Sequence, residues 1–165
     1  MSGGFPQFTY DPRIGVIGRL KRMTPRRGRI LFQMTPGTAP ASASGMYVGV
    51  FQKDSNNYIK VYFSAANTIT LAFKDAVASE GTDTWDCTSS LVSGTVYEVK
   101  IEYDKTYMKM FVDNTEVASI SQDVNFTGNT KPDKYWLGTD ASAANGYTST
   151  TFTSPDRLAY IREDA

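Results

Sequence analysis

The 165-residue chain has no histidine and a single cysteine, Cys87, so carboxylates, tyrosines and basic groups must carry any chemistry it does. Without histidine, zinc hydrolysis and Ser-His or Cys-His nucleophiles are excluded as usually built. The best-spaced carboxylates are Glu98 and Glu102 in VYEVKIEYD. A two-residue period places both on one face of a strand, but four residues separate them by roughly 13 Å at about 3.3 Å each. Glycoside hydrolysis needs roughly 5 to 9.5 Å between its carboxyl groups. With Lys100 between them and Lys109 expected across the next hairpin, the pair reads as a solvated charge ladder. Cys87 reads as a small buried hydrophobe and cannot form an intramolecular disulfide.

Basic and acidic residues number 17 each, which hides an asymmetry. Residues 1–29 carry Arg13, Arg19, Lys21, Arg22, Arg26, Arg27 and Arg29 against Asp11 alone, leaving ten basic and sixteen acidic residues in 30–165. The front segment therefore stands at plus six and the body at minus six. Residues 1–27 are expected to form a basic arm or first strand whose charges meet the acidic body of a neighbouring copy. Nucleic-acid binding is not expected, because no recognition helix or aromatic platform accompanies the basic residues. MSGGFPQFTYDPR lacks the features of a secretory signal, and no run approaches the roughly 18 apolar residues of a membrane span. The chain is expected to be soluble, made in a reducing cytoplasm and free of membrane contact.

From Gly28 onwards the apolar pattern has period two, with many Tyr, Phe, Thr and Ser, as half-buried strands require. NYIKVYFS turns Ile59, Val61 and Phe63 inward and Tyr58, Lys60 and Tyr62 outward. TITLAFK turns Ile69, Leu71 and Phe73 inward; VYEVKIEYD does the same with Tyr97, Val99, Ile101 and Tyr103, and YMKMFVD with Met108, Met110 and Val112. Asp113-Asn114 is a hairpin turn, since Asn tolerates the left-handed backbone. Further strands are expected in RILFQM, MYVGVFQ, EVASIS, YWLG and RLAYIR. That makes nine or ten short strands, the pattern of a two-sheet antiparallel sandwich over residues 28–165. Segments 36–44, 76–83, 123–134 and 141–154 are expected to be loops.

GRILFQMTPG, YEVKIEYDKTYMKMFVDNTEVAS, YWLGTDAS and SPDRLAYIRED together resemble the concanavalin A-like jelly roll, in its laminin-G-like branch. The likeness runs from Gly28 to Asp164 and departs at Asn114, where that family usually has glycine. The resemblance implies a carbohydrate- or protein-binding sandwich of the kind also found on phage tails and capsids. It implies that Tyr58, Tyr62 and Phe111 lie on outward faces of neighbouring strands, with Lys60, as a carbohydrate- or protein-contact face. Trp85 and Trp136 are expected in the core. Calcium, which this fold can bind through loop oxygens, would be sought at Asp54, Asn56 and Asn57 or at Asp140 and Asn145; neither set has diagnostic spacing, and no cofactor is expected.

The resulting expectation is a non-catalytic structural or binding protein of a virus particle, such as a phage capsid decoration or tail-appendage subunit. It would be located on the virion, homo-oligomeric, and docked on other virion proteins or sister subunits through Arg13, Arg19, Lys21, Arg22, Arg26 and Arg27. The alternative is a carbohydrate-binding module recognising cell-surface or plant-type polysaccharide. A sandwich glucanase is disfavoured, since no Glu-x-Asp-x-Glu strand is present.

Overall fold

The computed structural model describes residues 18–19, 27–34, 47–76, 79–92, 95–126, 130–137 and 161–164. Eleven strands run through them: β1 (Gly18–Arg19), β2 (Gly28–Met34), β3 (Tyr47–Asp54), β4 (Asn57–Ala65), β5 (Thr68–Lys74), β6 (Gly81–Asp86), β7 (Tyr97–Tyr103), β8 (Met108–Val112), β9 (Thr115–Ile120), β10 (Lys134–Leu137) and β11 (Ile161–Asp164). No helix occurs among the described residues. The strands form a six-stranded sheet in the order β1-β10-β3-β4-β5-β6 and a five-stranded sheet in the order β11-β2-β7-β8-β9. Every pairing is antiparallel. The chain is thus an all-β, two-sheet antiparallel sandwich.

The alternating residues face one another across a single core. Ile59, Val61 and Phe63 of β4, Ile69, Leu71 and Phe73 of β5, and Val99, Ile101 and Tyr103 of β7 are all buried in it, as are Met108 and Met110 of β8. The rings of Phe32 and Phe51, one from each sheet, meet at 5.8 Å. Burying each such side chain contributes roughly 1.5–3 kcal/mol. Cys87 is fully buried in the same cluster, and Trp85 packs half-buried against it. The side chain of Trp136 lies outside the described residues, although its backbone pairs with Val50.

Turn chemistry follows the residue types. Asp113 and Asn114 have φ of 46° and 65° and close the β8–β9 hairpin, and Asn67 has φ of 56° between β4 and β5. Short polar side chains make that left-handed backbone affordable for non-glycine residues. The backbone N–H of Glu98 donates to Asp113 Oδ1 at 2.8 Å, tying this turn to the start of β7.

Two segments expected as loops depart from that reading. Residues 81–83 of the 76–83 segment belong to β6, which completes one edge of the larger sheet. The 123–134 segment sends Val124 and Phe126 fully into the core, where Phe126 meets Tyr103 edge-on at 5.7 Å. Its last residue, Lys134, opens β10. Within residues 1–27, Gly18 and Arg19 pair with Tyr135 and Lys134, so that segment supplies an edge strand. The loop segments 36–44 and 141–154 lie outside the described residues.

Candidate functional site

The two outer faces of the sandwich differ in chemistry. On the five-stranded sheet the outward positions include several paired charges, beside the apolar Leu31 and Phe111 in the row of Lys100. Arg29 Nε bonds Glu102 Oε1 at 2.9 Å, Lys100 Nζ lies 3.3 Å from the same oxygen, and Lys109 Nζ bonds Glu116 Oε2 at 2.8 Å. The register sets Lys109 opposite Glu102 across the β7–β8 hairpin, the ladder that the sequence pattern implies. Such exposed pairs keep a face solvated and contribute little to stability.

The six-stranded sheet presents a different outer face, built in cross-strand rows. Val50, Lys60 and Ala72 form the middle row; Gln52, Tyr58 and Lys74 lie on one side of it, and Tyr47, Tyr62 and Thr70 on the other. Val50 and Ala72 are fully buried although they point away from the shared core, and Thr70 and Tyr58 retain only 4% and 7% exposure. Around this apolar floor the tyrosine rings gather. Tyr47 and Tyr62 lie 5.2 Å apart with their planes inclined by 38°. Lys60 Nζ sits 4.0 Å from the centre of the Tyr58 ring and 6.0 Å from that of Tyr47, a cation held against aromatic faces.

Hydrogen bonding fixes Tyr58 further, since its hydroxyl donates to Glu80 Oε1 at 2.6 Å. Burial first, then that hydrogen bond and the Glu80 charge, push the Tyr58 hydroxyl well above the usual phenol range. Burial and the Glu80 charge also raise Tyr62, against a lowering contact with Thr70. Both tyrosines therefore remain neutral donors at any physiological pH.

The sequence-derived residues divide between these faces. Tyr58, Lys60 and Tyr62 come together as expected, with Tyr58 much more buried than an outward position implies. Phe111 does not join them. It lies on β8 of the other sheet, where the Lys100 ammonium covers its ring at 4.0 Å. Alternation sets which way a side chain faces within its own sheet, and Phe111 belongs to a different one. Tyr47 and Glu80 complete the cluster and were not singled out from the sequence. A β-bulge between Tyr47 and Gly49 shifts the register of MYVGVFQ, so simple alternation assigns no face to Tyr47.

Of the basic residues 13–27, only Arg27 has a described side chain; it is exposed. Its charge adds to the hydrogen bonds from Thr106 that lower the Asp104 carboxyl. Arg19 contributes its backbone to β1, and Arg13, Lys21, Arg22 and Arg26 lie outside the described residues. Of the calcium candidates, Asp54 Oδ1 accepts hydrogen bonds from the Asn56 backbone and from Asn57 Nδ2, both at 2.9 Å. Asn57 Oδ1 in turn accepts from the Ala76 backbone at 3.1 Å. These groups build a turn with the oxygens a cation would need. Asp140 and Asn145 lie outside the described residues, and among those described no three acidic or thiol groups converge to hold a metal ion.

Two antiparallel sheets over one core, with one outer face aromatic, define the class as a β-sandwich. In fold the chain is similar to the binding domain of botulinum neurotoxin DC solved in complex with rat synaptotagmin II, with a TM-score of 0.59 at 10% identity, covering 85% of this chain and 32% of that one. It is similar also to the receptor-binding domain of the botulinum neurotoxin C/D mosaic serotype, with a TM-score of 0.57 at 13% identity, covering 84% and 32%. A third is the binding domain of botulinum neurotoxin DC in complex with SialylT, with a TM-score of 0.54 at 12% identity, covering 69% and 28%. The chain spans about a third of the length of these structures, and at such identities the likeness is one of fold. No protein-family description and no curated protein sequence matches the chain.

Proposed function

We propose that the chain is a non-catalytic binding and structural domain of the concanavalin A-like, laminin-G-like type, acting as a subunit of a virus particle. The contrast between the two outer faces carries the binding part of this reading. One face is solvated by ion pairs, whereas the other holds three tyrosines, a lysine and a buried floor where a free antiparallel sheet would place polar groups. The fold neighbours include one domain in complex with a protein and one in complex with SialylT, which accords with a surface that docks rather than reacts. Glu98 and Glu102 occupy positions four apart on one face of β7, a spacing that supports a non-catalytic reading.

The virion setting rests on the plus-six segment 1–29 joined to a body of opposite charge. In that setting the segment docks on a sister subunit or another particle protein and the sandwich is displayed. Light scattering on the full chain and on a chain lacking residues 1–27 tests it. An oligomer that falls apart without the segment is expected; a monomer at all concentrations for both forms overturns the docking role.

A further inference from the structure

We propose that Tyr47 and Tyr62 are an oxidative modification site, at which a haem-activated peroxide joins the two rings by a carbon–carbon bond between their ortho positions. The reagent class is a one-electron oxidant, and the product is a dityrosine bridge from β3 to β4.

Register and packing bring the reacting groups together. Tyr47 and Tyr62 are direct cross-strand partners on the outer face of the six-stranded sheet, so their β-carbons lie about 4.5–5.5 Å apart and both rings rise from the same side. The ring centres are 5.2 Å apart with the planes inclined by 38°, a separation at which the rings pack on each other. Both residues are half-buried rather than enclosed, and removing an electron requires no particular ring face to be open. The terminal torsion of a tyrosine is broad, and rocking about it brings the two Cε atoms into contact.

The other described tyrosines are placed less well. Tyr58, on the same face, is 7% exposed, donates its hydroxyl to Glu80 and carries the Lys60 ammonium 4.0 Å from its ring centre. Tyr97 and Tyr103 are buried in the core, and Tyr107 adjoins β8 of the other sheet, beneath Lys109. Among the described residues no second pair of tyrosine rings meets in this way.

Each phenol gives up one electron and its hydroxyl proton, leaving two phenoxyl radicals with unpaired density at Cε. The two Cε atoms couple, the hydrogen displaced from each is replaced on its oxygen through solvent, and both phenols are restored. The pair loses two hydrogens in all, and these reduce one hydrogen peroxide to two waters. The bridge spans the β3–β4 hairpin beside the bulge between Tyr47 and Gly49, where the ladder is irregular, and it restricts the unfolded chain as a disulfide does.

Treating the dilute full chain with hydrogen peroxide and a catalytic amount of haem peroxidase tests the proposal, read by dityrosine fluorescence and tryptic mapping of the band that stays monomeric. Cleavage after Arg29, Lys53, Lys60 and Lys74 puts Tyr47, Tyr58 and Tyr62 in different peptides. A Tyr47–Tyr62 link more abundant than all other tyrosine links together is expected, with a raised urea midpoint for the linked protein. Tyr47→Phe and Tyr62→Phe keep the packed rings but lose a phenol, so each should abolish the link while melting as the parent does. If either variant is unfolded, the parent oxidised in urea serves instead, and there the preference for this pair should vanish. The proposal is overturned if the folded monomer forms no dityrosine, if another pair dominates, or if the link forms equally well in the unfolded chain.

Discussion

Asp83 Oδ2 accepts a hydrogen bond from the backbone N–H of Ser119 at 2.7 Å, joining edge strand β6 of one sheet to edge strand β9 of the other. Gln122 Nε2 reinforces the same edge by donating to the Ser79 carbonyl at 3.1 Å. An edge strand exposes unpaired N–H groups that can recruit another chain, and an inward-aimed carboxylate satisfies one of them. Because a hydrogen bond to a charged group contributes about 1.5–3 kcal/mol, Asp83→Ala is expected to lower the unfolding free energy by about 2 kcal/mol in urea titrations. Asp83→Asn should lose less. If Asp83→Ala matches the parent protein, the bond does not hold this edge closed.

The β8–β9 turn supports a second prediction. Asn114 has φ of 65°, where a β-branched side chain is strained and glycine is not. Asn114→Val is expected to destabilise by about 1–2 kcal/mol, whereas Asn114→Gly should be neutral or slightly stabilising. Chemical denaturation of both variants checks the pair, and the opposite ranking would mean that the turn is not left-handed.

Much of this molecule is legible along the chain, and the gaps have physical causes. Period two names the buried sides of β4, β5, β7 and β8, because each crosses the core with one apolar face. It misses β6, whose core-side positions are Gly81, Asp83 and Trp85. There a glycine fits a close approach, a carboxylate serves the facing sheet, and only the tryptophan is apolar. For the site, alternation correctly turns Tyr58, Tyr62 and Phe111 away from the core. It cannot say that β8 belongs to a different sheet from β4, because strand partnership across sequence is a property of topology. Tyr47 is hidden by the bulge at its own strand, and Glu80 by its position outside any strand.

Alkaline pH supplies a third prediction through Cys87. Burial raises its thiol to about 11, and Asp86 adds to the rise against a lowering backbone hydrogen bond. In the unfolded chain a thiol titrates near 8.5. Between those values the unfolded state releases a proton that the folded state keeps, so stability is intact below about 8.5 and falls as pH rises towards about 11. The buried Tyr103 hydroxyl, also raised by burial, extends the loss in the same direction. Urea midpoints measured from pH 7.5 to 10.5 should therefore decline, and Cys87→Ala should decline less steeply. The thiol should resist a disulfide reagent at pH 8 until urea unfolds the chain; rapid labelling of the native protein would contradict its burial.

The contact between Gly28 and Tyr103 gives the most direct packing prediction. These residues are register partners on β2 and β7, and a β-carbon on Gly28 would lie 2.7 Å from Tyr103 Cε1 and 2.9 Å from Cζ and the hydroxyl. No side chain tolerates that distance, so the ring would have to move. Tyr103 is only 2% exposed and is braced edge-on against Phe126 at 5.7 Å, which leaves it little room to do so. Overpacking of this kind costs about 1–3 kcal/mol, and Gly28→Ala is expected to lower the melting temperature by roughly 2–4 °C for each kcal/mol lost. Tyr103→Leu should itself destabilise, by removing a buried ring. In that shortened background, however, Gly28→Ala should cost much less, because the clashing atoms are gone. A double-mutant cycle in calorimetry measures this coupling. Strictly additive effects of the two substitutions would mean that Gly28 is required for something other than the close approach of the Tyr103 ring.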